Sequence, residues 1–118
     1  MPTTQQGQEA PLKLHTYPKD GSIMVECSGK LLSNVSAAFH GEIKALFPQT
    51  KCIVLDFTNL VQMDSSGLGA IAGLYIAGKS AGVQIQLINL SKRIRELLSL
   101  THILALFEPV GEHCIRAD

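Results

Sequence analysis

Residues 52–90 constrain the fold more than any other part of the chain. They open with Cys52-Ile-Val-Leu-Asp-Phe57, apolar except for Asp56, and close with Val83-Gln-Ile-Gln-Leu-Ile88, where apolar and polar side chains alternate. The first piece reads as a central strand covered on both faces. The second reads as a strand with one wetter face. Between them Thr58 to Met63 forms a link, and Asp64-Ser65-Ser66-Gly67-Leu68-Gly69 opens a helix that Gly82 ends as a C-cap glycine does. Strand, helix and strand make a βαβ unit, whose crossover is right-handed in nearly all cases. Positions 69, 73, 77 and 81 of the helix are Gly, Gly, Ala and Ala. This stripe of small residues predicts a helix lying close to its neighbour, which offsets the helix cost of two interior glycines.

The flanking sequence extends this unit into an α/β domain. Leu12-Lys-Leu-His-Thr-Tyr17 alternates at period two, Asp20-Gly21 is a hairpin turn signal, and Ile23-Met-Val-Glu-Cys-Ser28 reads as the returning strand. Residues 29–34 leave that strand and carry helix-start residues, with Ser33, Asn34 or Ser36 as the cap. Ala38, Phe39, Ile43, Leu46 and Phe47 recur at three or four, which marks an amphipathic helix that Pro48 stops. Ser91 caps a third helix, in which Ile94, Leu97 and Leu98 face the core. Residues 103–107 offer a short edge strand. The expected fold is therefore one domain: an N-terminal hairpin leading into a mixed sheet backed by about three to four helices. Its expected bounds are 12–110, with a flexible polar tail at 1–11 and a weakly patterned one at 111–118.

Composition excludes several functions. Ten basic residues balance ten acidic ones, so the chain carries no electrostatic footprint for nucleic acid or an anionic membrane. No apolar run approaches the roughly twenty residues of a spanning helix. The first ten residues lack the cationic start and apolar block of a signal peptide, and the expected location is the cytoplasm. Cys27, Cys52 and Cys114 are odd in number and far apart, and His15, His40, His102 and His113 share no ligand spacing with them. No metal site, cofactor or disulfide is expected.

The chemistry therefore concentrates at the start of the central helix. A helix N-terminus presents unpaired N–H groups and partial positive charge, so it accommodates an anion. Phosphorylation of a serine there adds about 1.5 to 2 negative charges and three acceptor oxygens. The fold would survive, while a partner docked over the corner would meet uncompensated charge and bulk. In the plainer alternative Ser65 and Ser66 only cap the helix. Two catalytic readings fail. A hydrolase elbow needs Gly-x-Ser-x-Gly, and Met63-Asp-Ser-Ser-Gly67 lacks the first glycine. A dinucleotide site needs a tighter strand-to-helix turn than 58–63 allows, and an acidic residue where Asn89 stands.

Leu55-Asp-Phe57, Met63-Asp-Ser-Ser-Gly-Leu-Gly69, Gly82-Val-x-Ile-x-Leu87 and Ile94-Arg-Glu-Leu-Leu-x-Leu100 together resemble the STAS domain, over about residues 12 to 110. The nearest group is the bacterial anti-sigma factor antagonists. The resemblance implies a non-enzymatic protein that binds an anti-sigma factor, often also a serine kinase, and so frees a sigma factor. Phosphorylation breaks that complex and a PP2C-type phosphatase resets it. The phosphoacceptor it implies is Ser65, with Ser66 as second choice. The implied partner surface comprises Gly29, Lys30, Leu32, Ser33 and Asn34 on one side and Asp64, Ser66, Gly67 and Leu68 on the other. One departure stands out. In the phosphorylated family members the second strand usually runs into Gly-x-Leu-Asp, where this chain has Gly29-Lys-Leu-Leu32. A carboxylate is missing and a lysine is present, which suits a partner with a more apolar or acidic face. STAS-like domains also serve as constitutive subunits of stress-sensing scaffolds or lipid-transporter complexes, and that is the alternative function.

Overall fold

A computed structural model describes residues 12–100, 107–109 and 114–117, the last two stretches as backbone strands. The chain opens with a hairpin of β1 (Leu12–Lys19) and β2 (Ser22–Leu31). Lys19 pairs with Ser22, so the loop is two residues long, and both Asp20 (φ 54°) and Gly21 (φ 82°) sit at positive φ. That is what a two-residue hairpin turn matching the twist of its strands requires. Helix α1 (Ser33–Lys44) follows, then a short 3₁₀ turn (Phe47–Gln49). Strand β3 (Cys52–Met63), helix α2 (Ser65–Ala81) and strand β4 (Gln84–Ile88) form the central unit. Helix α3 (Lys92–Leu100) and the short strands β5 (Phe107–Pro109) and β6 (Cys114–Ala117) complete the described chain.

The sheet runs β1-β2-β3-β4-β6-β5. β2, β3 and β4 are mutually parallel, as their helical crossovers demand, while β1, β6 and β5 pair antiparallel. One core contains Val25, Cys27, Ile53, Leu55, Phe57, Ile85 and Leu87 from the sheet. Phe39 and Ile43 of α1, Leu68, Ile71 and Leu74 of α2, and Ile94 and Leu98 of α3 belong to the same core. All three helices thus back one face of the sheet. This is the expected α/β architecture, with three α-helices among the described residues.

Several details differ from the sequence expectation. β3 does not end at Phe57 but continues through 58–63 beside the end of β2, which itself runs on to Leu31. The register explains why the pattern hid this. Glu26 faces Asp56 and Ser28 faces Asn59, then Gly29 faces Leu60 and Lys30 faces Gln62. Each step places one extra residue in β3, a bulge that breaks the period-two alternation. Nor do the described residues cover β3 with a layer on both faces: Cys52 and Asp56 on the far face are only half-buried. Val54 is buried there by its neighbours in the sheet, Met24 and Gln86, outside the helix-side core. The small-residue stripe packs only in part: Gly73 lies close against His40 of α1, but the tightest glycine contacts fall outside it. A Cβ on Gly69 would meet nothing within 4 Å, whereas one on Gly67 or Gly78 would lie 2.6 Å from a backbone carbonyl oxygen. Cys114–Ala117, within the stretch expected to be weakly patterned, is a strand inserted between β4 and β5. Four residues are too few to show a period, and pairing with Gln86, Leu87 and Ile88 creates the strand. The expected tail at 1–11 and the residues 103–106 lie outside the described residues.

Candidate functional site

The parallel strands β2 and β3 carry their chains to one edge of the sheet, where each turns directly into a helix. Asp64, just past Met63, is the N-cap of α2 and its Oδ1 accepts a hydrogen bond from Gly67 N–H at 3.1 Å. This corrects the expectation that a serine caps the helix. An aspartate is as good a cap as a serine and sits one residue earlier. Ser65 and Ser66 become the first two helical residues, and among the described residues neither hydroxyl makes a hydrogen bond. Ser65 is exposed and Ser66 is half-buried.

Helix α1 corrects a second expectation. Its N-cap is Leu32, with no side-chain cap, rather than Ser33, Asn34 or Ser36. The missing acceptor comes from across the corner, where Asp64 Oδ2 accepts Ser33 N–H at 3.0 Å. Asp64 N–H in turn donates to the Leu31 carbonyl at 3.3 Å. Gly67 lies directly on that carbonyl: a Cβ there would be 2.6 Å from Leu31 O and 2.8 Å from Met63 Cγ. The glycine after the two serines is therefore required by contact with β2, and the two halves of the implied partner surface meet here.

Of that surface, Lys30, Ser33 and Asn34 are exposed, and Gly29, Leu32, Asp64 and Ser66 are half-buried. Gly29 takes φ 102° within β2, next to the second bulge. Gly67 and Leu68 are buried instead, because the third and fourth positions of α2 turn toward the core. They shape the corner and present no side chain to a partner.

Two features at this end escaped the sequence reading. An open groove of about 350 Å³ between α1 and α2 is lined by Ser36, Ala37, His40, Ser66 and Ala70. His40 lies against Gly73, whose added Cβ would be 3.2 Å from His40 Nε2. The readable signal was the small residues on both helices, Ser36 and Ala37 in α1 and Ser66 and Ala70 in α2. The second feature is Val61, 66% exposed, which is the extra residue opposite the step from Gly29 to Lys30. Nothing in a strand pattern announces a bulged side chain.

A second carboxylate, Asp56, lies in β3 eight residues before Asp64 and stitches that strand to the residue after β4. Asp56 Oδ1 accepts Thr58 N–H at 2.9 Å, Thr58 Oγ1 at 2.6 Å and Asn89 Nδ2 at 3.1 Å. Partial burial pushes its carboxyl up, but the hydrogen bonds from Thr58 and Asn89 outweigh that and hold it below the ordinary carboxylate value. Asn89, at φ 58°, takes the left-handed conformation that asparagine tolerates. Cys27 is buried in the core, and loss of water, with the nearby Asp56 charge, pushes its thiol up to about 12. Among the described residues no three His, Cys, Asp or Glu side chains gather as a metal site requires. No described helix is long and apolar enough to cross a membrane.

This geometry defines an α/β domain with an exposed serine and a half-buried one at a helix start pinned to the neighbouring strand. The STAS domain family matches residues 13–114, and the chain belongs to that family. Solved structures agree in fold. The anti-sigma factor antagonist SpoIIAA, in its unphosphorylated form, is 21% identical with a TM-score of 0.61, over 75% of this chain and 82% of that one. A structure of the Bacillus cell fate determinant SpoIIAA in its phosphorylated form aligns with the same TM-score of 0.61. An anti-sigma factor antagonist from Mycobacterium paratuberculosis is 22% identical with a TM-score of 0.68, over 78% of this chain and 79% of that one. The murine anion transporter Slc26a9 contains a similar region, 24% identical with a TM-score of 0.61, covering 68% of this chain and 14% of the transporter. The fold thus occurs both in small antagonists and inside a transporter.

Proposed function

We propose that this protein is an anti-sigma factor antagonist switched by phosphorylation of Ser65. Its partner is an anti-sigma factor that is also a serine kinase, and a PP2C-type phosphatase restores the binding form in the cytoplasm. The protein serves as substrate and competitor and carries no catalytic residue of its own. One observation carries the reading: Asp64 does the capping, so the exposed hydroxyl of Ser65 has no structural duty. A phosphate on it meets the unpaired N–H groups of the first turn of α2, where negative charge is tolerated. The fold would persist, and the surface formed with Lys30, Leu32, Ser33, Asn34 and Asp64 would go from formally neutral to negative. Ser66 is the less suited acceptor because it is half-buried beside the α1–α2 groove.

The test has two parts. Protein isolated from its native cell at rest and under stress is examined by intact-mass and peptide spectrometry, with phosphate expected on Ser65 and changing between the two conditions. Ser65→Asp is expected to weaken binding of the partner at least tenfold, about 1.4 kcal/mol, while Ser65→Ala binds constitutively. A Ser65 peptide that stays unmodified in both conditions supports the alternative, a constitutive STAS subunit of a stress-sensing scaffold or lipid-transporter complex. The likeness to a region of Slc26a9 is the observation that keeps this alternative in view.

A further inference from the structure

The carboxylate of Asp64 has two ends, and each holds a different helix. Oδ1 accepts Gly67 N–H in α2, and Oδ2 accepts Ser33 N–H in α1. Because Leu32 cannot cap α1, the start of that helix depends on a residue 31 positions further along the chain. Ser65 follows Asp64 directly and is exposed. A phosphate on Ser65 would stand beside the Asp64 carboxylate, repel it and compete for the same N–H donors. Gly67 N–H lies within the helix that carries both groups. Ser33 N–H lies on the other helix, so this hydrogen bond of the carboxylate runs from one helix start to the other.

We propose that Asp64 is the positioning residue of the switch: it ties the 29–34 turn to the start of α2 through Ser33, and charge on Ser65 loosens that tie. The proposal rests on the phosphorylation reading given above. It adds that the partner senses a changed turn as well as the phosphate. Asp64 acts here through Ser33 and not by touching the partner.

The tie can be cut from either side. Asp64→Asn keeps one carbonyl oxygen for Gly67 N–H but turns an N–H₂ toward Ser33, so the α2 cap survives and the tie does not. Ser33→Pro removes the donor instead. Proline suits the first position of a helix, and Leu32 before it is already extended at φ −116° and ψ 176°.

The experiment is NMR-detected amide hydrogen exchange and chemical-shift mapping on the full chain, with and without Ser65→Asp, in the wild-type, Asp64→Asn and Ser33→Pro backgrounds. In the wild type, Ser65→Asp is expected to speed exchange of Ser33 N–H roughly three- to tenfold, as weakening rather than full loss of a hydrogen bond to a charged group does. It is also expected to shift the amides of residues 29–32. In the other two backgrounds Ser65→Asp should move the amides at the start of α2 and no longer those of 29–32. A merely structural Asp64 would cost stability and leave that dependence intact. The proposal is overturned by Ser33 exchange that ignores Ser65→Asp, or by 29–32 shifts that persist in both backgrounds. Partner affinity is read separately. A Ser65→Asp form that loosens Ser33 yet binds its partner normally sinks the phosphorylation reading and leaves the tie standing.

Discussion

The two ends of α2 each place a glycine against a backbone carbonyl, yet they are closed in different ways. At the C-terminal end Gly82 adopts φ 73°, and Val83 N–H donates to the Gly78 carbonyl at 2.8 Å. This is the 6→1 bond of a Schellman motif, made within one short stretch of chain. A Cβ on Gly78 would sit 2.6 Å from the Val83 oxygen, only five residues away. At the N-terminal end Asp64 caps the helix through Gly67 N–H and also binds Leu31 and Ser33, more than thirty positions distant. Backbone alone closes the first end, whereas the second relies on a side-chain carboxylate. A locally closed end stabilises its own helix. An end closed by distant segments joins elements, and its freed serine hydroxyls become available for chemistry.

This contrast can be broken most directly by adding a methyl at each glycine. Gly67→Ala is expected to destabilise the domain by about 3 kcal/mol, at the upper end of overpacking costs, because Leu31 and Met63 are held in the sheet and cannot withdraw. Gly78→Ala meets an equally short contact, but a local loop can shift and alanine recovers about 1 kcal/mol of helix propensity, leaving a loss of about 1 kcal/mol. Urea unfolding of both variants measures the difference. Equal losses would remove the distinction between the two ends. Gly69→Ala sharpens it from the opposite direction. Its Cβ meets nothing within 4 Å, so the variant should gain up to about 1 kcal/mol in the same measurement.

The smallest effect concerns acid. The folded-state value of Asp56 lies below its unfolded one, so its contribution is present above about pH 4 and is lost as pH falls through the folded value. Amide exchange at Thr58 is therefore expected to quicken below about pH 4 relative to that of Val83, whose partner is a carbonyl. Asp56→Asn should abolish that relative change. Equal acid sensitivity of the two amides would show that the Asp56 carboxylate does not hold the Thr58 amide.

Much of the frame was legible in the order of residues. The Asp20-Gly21 turn, the alternation in β4 and the Ser91 cap, whose Oγ accepts Ile94 N–H at 3.1 Å, all depend on neighbours in the chain. So does Gly82 at the end of α2. The serine corner was legible as a place, through Asp64-Ser65-Ser66-Gly67, but not in its wiring. A cap of Leu32 looks implausible from sequence, and no local rule predicts that Asp64 serves two helices.

Periodicity and turn chemistry are short-range, and they decided which segments are strands or helices, where the hairpin turns and where α2 begins. Pairing and packing are long-range. They decided that β3 runs past two bulges to Met63, that Cys114–Ala117 enters the sheet, and that Gly67 and Gly78, outside the 69-73-77-81 stripe, make tighter contacts than Gly73 within it. A carboxylate near two orphaned N–H groups binds both once the fold brings them within 3 Å or so. Only the tertiary structure sets that distance, because Ser33 and Asp64 meet through the parallel pairing of β2 and β3.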